Sequence, residues 1–204
     1  MADKKVSDKV IANWDTFMDL IEKKVQDSTV RDSLKELCIE VEDRLAPCPA
    51  STKTDYVGSF LGGLVWHSLN VLKIMVELNK IYSTNLTPDS LIVTGLFHDI
   101  GKIGSLDQDY YLSQQSDWHR NRGILYEINP DIPHVPVAIR SLWWLNSSGV
   151  PLAEHEIHAI SSLQHMNQIY SSELYDAPKL TLILQQAVRA ACILNKGKKS
   201  ILDT

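Results

Sequence analysis

Cysteine is scarce in this chain: Cys38, Cys48 and Cys192 are the three in 204 residues. The count is odd and no Cys-x-x-Cys pair occurs, which argues against a disulfide framework or a cysteine-based structural zinc site and fits a reducing compartment. Long apolar runs are missing too. The longest fall well short of the ~20 residues of a membrane span. The opening Met1-Ala2-Asp3-Lys4-Lys5 has no apolar signal segment. A cytoplasmic protein with no membrane partner is the expectation. Positive charge is in deficit, with 20 Lys and Arg against 25 Asp and Glu and a net charge of -5. Extended nucleic acid is therefore not an expected partner, and any phosphate recognition falls to a few placed residues or a metal. No Gly-x-Gly-x-x-Gly or Walker loop is present, Gly62-Gly63 is too little to make one, and no serine or cysteine nucleophile has a supporting local signature.

What is present is ordinary for a globular domain, 44% hydrophobic and 22% charged residues. The spacing predicts amphipathic helices over 8–26 (Val10, Ile11, Trp14, Phe17, Met18, Ile21, Val25) and 29–45 (Leu34, Leu37, Cys38, Val41, Leu45), ended by Pro47 and Pro49. A loop follows over 50–61, then a long helix over 64–81. Thr87 and Pro88 form an N-cap and first-turn pair for a helix over 88–99, stopped by Gly101. Residues 104–136 are harder to read: a short helix near 109–119, then a short hairpin or loop insertion around 123–136. Helices resume over 136–147, 153–168 and 178–195. The class is all-α, a single helical bundle: residues 1–58 supply N-terminal helices packed on a core domain over 59–197, the whole treated as one globular domain.

The segment Leu96-Phe97-His98-Asp99-Ile100-Gly101-Lys102-Ile103 carries the most information. Burying a His-Asp pair at the end of an apolar helix is costly unless the pair is hydrogen-bonded or holds a metal. His67 lies near the buried face of the preceding long helix, with Leu64, Val71 and Ile74 at helical offsets. Both positions lie far from the loop joining the two helices, so an antiparallel pair brings them to the same end. Two imidazoles and a carboxylate make a mixed N/O site for a divalent ion, with Mn, Mg, Co, Fe and Zn not distinguished. The plainer alternative is a core histidine beside a hydrogen-bonded helix end.

His67 followed by His98-Asp99, in the run His98-Asp99-Ile100-Gly101-Lys102, resembles the HD-domain metal-dependent phosphohydrolases. The resemblance covers about residues 60–195. It is nearest to the compact phage-type members, through Trp118-His119-Arg120 and Ile128-Asn129-Pro130. It implies an all-α fold, a divalent metal held by His67, His98 and Asp99, and hydrolysis of phosphoester or phosphoanhydride bonds in a small-molecule nucleotide, with a deoxynucleotide first. For a phage-encoded chain the compartment is the host cytoplasm. The family's last aspartate is replaced: Val188 stands at that position in Leu184-Gln185-Gln186-Ala187-Val188-Arg189. A valine cannot ligate a metal. Gln185, one turn earlier, offers a weak amide oxygen.

Around this set, Asp99 is the residue to orient an attacking water. Lys102 is a catalytic and phosphate-binding candidate, with a helix-end lysine as its plainer role. His119, Arg120 and Arg122 form a basic cluster for substrate phosphate, with surface ion pairing as the alternative. His165 is a candidate proton donor to a leaving group. Glu154, His155, Glu156 and His158 read as an exposed first turn. Trp143 and Trp144 read as core and interface, and the aromatics that need covering suggest a homo-oligomer. Two functions stay open: a nucleotide phosphohydrolase, or a degenerate relative that binds a nucleotide or protein partner without turnover.

Overall fold

The computed structural model describes residues 2–165 and 176–203, and the side chain of His165 lies outside the described set. The chain forms α1 (Ala2–Lys24), α2 (Ser28–Glu40), α3 (Glu42–Leu45), α4 (Gly63–Ile81), α5 (Pro88–Phe97), β1 (Tyr111–Ser113), α6 (Asp117–Arg120), β2 (Tyr126–Ile128), α7 (Val137–Ser147), α8 (Glu154–Ser161) and α9 (Lys179–Leu194). The expected all-α class is met: a helical bundle with one two-stranded ribbon among the described residues.

Helix α4 is the axis of the bundle, packed against α9, α5 and α1. Almost nothing on α5 reaches solvent; Leu91, Ile92, Val93, Leu96 and Phe97 are all buried. Gly95 lets α5 approach α4, because a Cβ there would meet Leu72 and Met75 at 3.1 Å. One cluster of buried residues runs from Trp14 on α1 through α2, α4 and α5 to Ala191 on α9. Phe17 joins the N-terminal helix to the His-Asp segment, with its ring edge-on to Phe97 at 5.4 Å and stacked on Trp14 at 5.7 Å.

Several boundaries differ from the sequence reading. The second helix is broken at Val41 (φ -112), which caps α2 and opens α3. Helix α5 ends at Phe97, and Gly101 does not stop it. Gly101 lies inside a three-ten turn, Ile100–Ile103, and is glycine because of packing. A Cβ there would lie 2.5 Å from Val137 O and 2.8 Å from Ser141 N on α7. The helix expected near 109–119 is reduced to the single turn α6, capped by Ser116 Oγ, and the residues before it form β1. The hairpin lies earlier than expected: Tyr111 pairs with Ile128 and Ser113 with Tyr126, while residues 129–136 form a loop. Pro130, Pro133 and Pro136 have no N–H to extend a ladder. Helix α8 is shorter than 153–168, passing into a three-ten turn at Ser162–His165, and residues 166–168 lie outside the described residues.

Phe17 is 1% exposed, so Phe17→Ala is expected to cost about 3–5 kcal/mol. Urea denaturation followed by circular dichroism reads the loss, in one transition shared by α1 and the rest of the bundle.

Candidate metal centre

The α4–α5 hairpin sets the site. Asn79 Oδ1 accepts from Leu86 N at 3.0 Å and orders the connection, and Thr87 Oγ1 accepts from Ser90 N at the start of α5. His67 on α4 and His98 at the end of α5 are both buried, their rings edge-to-face with centroids 5.6 Å apart. Donor atoms of His67, His98 and Asp99 all lie within 4.8 Å of one another. Asp99 Oδ2 is 3.5 Å from His98 Nε2 and 3.9 Å from His67 Nε2.

The ring of His98 is oriented from behind. Its Nδ1 lies 3.1 Å from Gly95 O, a contact that requires the proton on Nδ1 and leaves the Nε2 lone pair facing Asp99. This is how a backbone carbonyl fixes a ligand histidine. His98 Nε2 and His67 Nδ1 are buried with no hydrogen-bond partner among the described residues. The nitrogen of His67 that faces Asp99 is the other one, Nε2; the orphaned His98 Nε2 beside the carboxylate fits a cation-binding set better than a self-satisfied polar pair. Donors around an ion at ~2.1 Å stand about 3–3.5 Å apart, so small side-chain shifts would bring these three to coordinate.

Lys102, from the three-ten turn, donates to the same Asp99 oxygen at 2.6 Å. Burial pulls its pKa down, but Asp99 and then Tyr111 together more than offset burial and leave it raised. Burial likewise pushes the Asp99 carboxyl up, while Lys102 and then the two imidazoles hold it below the usual carboxylate range. His67 is lowered to about 3, chiefly by burial and then by His98. His98 is lowered by burial, against the opposing pull of Asp99. Both imidazoles are thus neutral at pH 7, the form that ligates.

The turn is held from two sides. Ser141 Oγ accepts from Gly101 N at 2.9 Å and donates to Val137 O at 2.9 Å, and Trp144 Nε1 donates to Gly104 O at 2.9 Å. Arg44 on α3 donates to Ile103 O, Leu106 O and Gln108 O and pairs with Asp109 at 2.8 Å. Cys48, buried with its thiol pushed up to about 12 by burial, has Sγ 3.5 Å from Lys102 O. Sequence reasoning missed Ser141, Arg44 and Cys48, which carry no local signature.

The remaining candidates sit elsewhere or have other partners. Arg120 pairs with Asp117 and donates to Gln114 O, and Arg122 lies over the Trp118 ring at 3.5 Å. His119 packs edge-to-face on Trp118, with Nδ1 buried and partnerless among the described residues. The charges that shift His67, His98 and Asp99 are one another and Lys102, and none comes from His119, Arg120 or Arg122. The His165 side chain lies outside the described residues. Gln185 donates through its amide nitrogen to Ser162 Oγ at 3.1 Å. Val188 is half-buried against the core on α9, which packs on α4. The first turn of α8 is not wholly exposed: Glu156 is buried, accepting from Ser90 Oγ at 2.7 Å and Ala153 N at 2.9 Å. His155 Nε2 also lies 3.0 Å from Ser90 Oγ. No helix among the described residues is long and apolar enough to cross a membrane.

The pKa shifts predict a pH profile for the metal-free chain. His67 takes up a proton near pH 6.5 when unfolded but only near 3 when folded. The unfolded state therefore binds more protons between those values, and stability present above pH 6.5 falls as pH drops through that window. The expected slope is about 1.4 kcal/mol per pH unit per histidine, read as urea midpoints from pH 8 to 5. His67→Asn removes the His67 share of that slope and leaves that of His98.

Among known families, the sequence model of the HD domain matches residues 65–129. No curated protein matches the chain, and neither does any solved structure.

Proposed function

We infer, from the match of the HD-domain model to residues 65–129, a metal-dependent phosphohydrolase acting on small nucleotides, with deoxynucleotides the first candidates by family analogy. One observation carries the reading: His98 presents a buried, unsatisfied nitrogen beside the Asp99 carboxylate, with a His67 donor within 4.8 Å of both. His67, His98 and Asp99 would hold a divalent ion. Bound there, such an ion polarises a phosphoryl oxygen and lowers the pKa of a water. Asp99 accepts a hydrogen bond from the attacking water and orients it toward phosphorus. Lys102 has three N–H donors and uses one on Asp99, so it can still donate to a phosphoryl oxygen as charge grows on it. Burial keeps His67 and His98 neutral and holds competing water away from the donors.

A second reading has its own observation. Val188 supplies no carboxylate, and Lys102 already neutralises Asp99. A chain so built would bind a nucleotide or a protein partner without turnover.

Metal analysis of purified protein, with a phosphate-release screen over nucleotides in manganese, magnesium and cobalt, separates the two. The enzyme reading expects metal-dependent release, removed by chelator. His98→Ala should lower it by more than the about 10–100-fold typical of residues that only support a ligand. No bound metal and no release with any of the three ions would sink it in favour of the binding role. Val188→Asp reports on the fourth corner: a strong rise in metal content marks a weakened site, and no change means another group already completes it.

A further inference from the structure

Arg140 is charged, 5% exposed and without a counter-ion among the described residues. Arg31, Arg44 and Arg120 each have a carboxylate within 4.0 Å; Arg140 has none among the described residues. Its Nη2 donates to Pro133 O at 2.7 Å and its guanidinium lies 5.1 Å from the Tyr110 ring centre. Its Nη1 is buried with no hydrogen-bond partner among the described residues. Burial pulls its pKa down from the ordinary value, and no carboxylate opposes that pull. An uncompensated buried guanidinium is expensive, and its planar fork is built for a carboxylate or phosphate.

Two cavities meet at this residue. One, of about 250 Å³, is lined by Tyr110, Asn129, His134 and Arg140. The other, of about 270 Å³, has apolar walls from Ile132, Val135, Ile139 and Trp143, and also reaches Arg140. Both have the 129–136 loop as a wall. Pro130, Pro133 and Pro136 fix φ along it, and Asn129 pins its start by donating to Asp109 O and accepting from Asp131 N. The walls are thus preformed, which lowers the ordering cost of binding. Trp143 is 42% exposed although it sits beside a buried helix face.

We propose that the two cavities form one binding site for a small organic anion, whose carboxylate or phosphate group pairs with Arg140 while an apolar or aromatic body lies against Ile139 and Trp143. The site is separate from the metal centre and does not rest on the phosphohydrolase reading. It adjoins that centre nonetheless: a Cβ on Gly101 would meet Arg140 Cβ at 2.9 Å, so α7 carries the anion site on the turn that presents Lys102.

The test is calorimetric titration of the chelator-treated full chain with phenyl phosphate, benzoate and inorganic phosphate. Saturable binding of an aromatic anion is expected in the millimolar range or tighter, about tenfold tighter than inorganic phosphate. The better of the two aromatic probes names the headgroup. Arg140→Gln should weaken both by about tenfold or more. Trp143→Ala should weaken the aromatic anions and leave inorganic phosphate unchanged. His98→Ala should leave all three unchanged. The proposal is overturned if no probe binds saturably, if Arg140→Gln binds as the parent does, or if His98→Ala abolishes binding and so places the anion at the metal centre. Should Arg140→Gln fail to fold, the exposed Trp143 decides, and an unchanged affinity of Trp143→Ala for both aromatic anions overturns it.

Discussion

Asp99 Oδ2 accepts from Lys102 at 2.6 Å and faces the two buried imidazoles at 3.5 and 3.9 Å. Without that oxygen, Lys102 would be an ammonium with no hydrogen-bond partner among the described residues, and the orphaned nitrogen of His98 would be left beside the His67 imidazole. Leaving one member of such a set unpaired costs several times what the set contributes to stability when intact. The end of α5 can therefore stay buried only while Asp99 is held in register with α4. The hairpin connection, the Gly95 contact and the Phe17–Phe97 packing all serve that register.

The backbone that presents Asp99 and Lys102 is a three-ten turn too short to hold itself. Its order comes from outside: α7 through Ser141, Trp144 and the close approach at Gly101, and α3 through Arg44. A charge clamp from the N-terminal helices and a steric seat on α7 thus fix one short segment between them. This gives the N-terminal region a part in shaping the site without contributing any donor to it. It also places Arg140, on α7, next to the metal centre.

That His67, His98 and Asp99 come together was legible because their chemistry conflicts with their surroundings. Titratable groups in apolar helical runs stand out in sequence, and helix geometry is regular enough to bring them to one end of a hairpin. The face of α2, with Leu34, Leu37 and Cys38 buried, was legible for the same reason of periodicity. Where periodicity fails, so did the reading. The 104–136 region owes its shape to a short ladder, three prolines and long-range hydrogen bonds such as Leu125 N to Thr52 O, none of which has a local pattern. Gly101 looked like a helix stop because glycine often is one; the need for it comes from α7, some 40 residues later. Glu156 looked solvated because its neighbours are charged, while its partner Ser90 sits 66 residues earlier. Arg140 gave no signal at all, since one arginine in an amphipathic helix is ordinary.

If the family's last aspartate position falls at Val188, as the resemblance implies, the valine changes the charge count as well as the number of donors. Asp99 and Lys102 cancel, and both imidazoles are neutral, so the centre is formally uncharged before any ion enters. A dication held by such a set leaves two positive charges in a largely desolvated place, where an aspartate at 188 would have left one. Only an anionic ligand can restore the balance, and a phosphate dianion does so fully. Metal and phosphate then favour each other's binding, because each supplies the charge the other lacks and linkage is reciprocal. On this reading the valine makes metal retention depend on the presence of a phosphorylated ligand: the ion is held weakly alone and firmly when substrate is present.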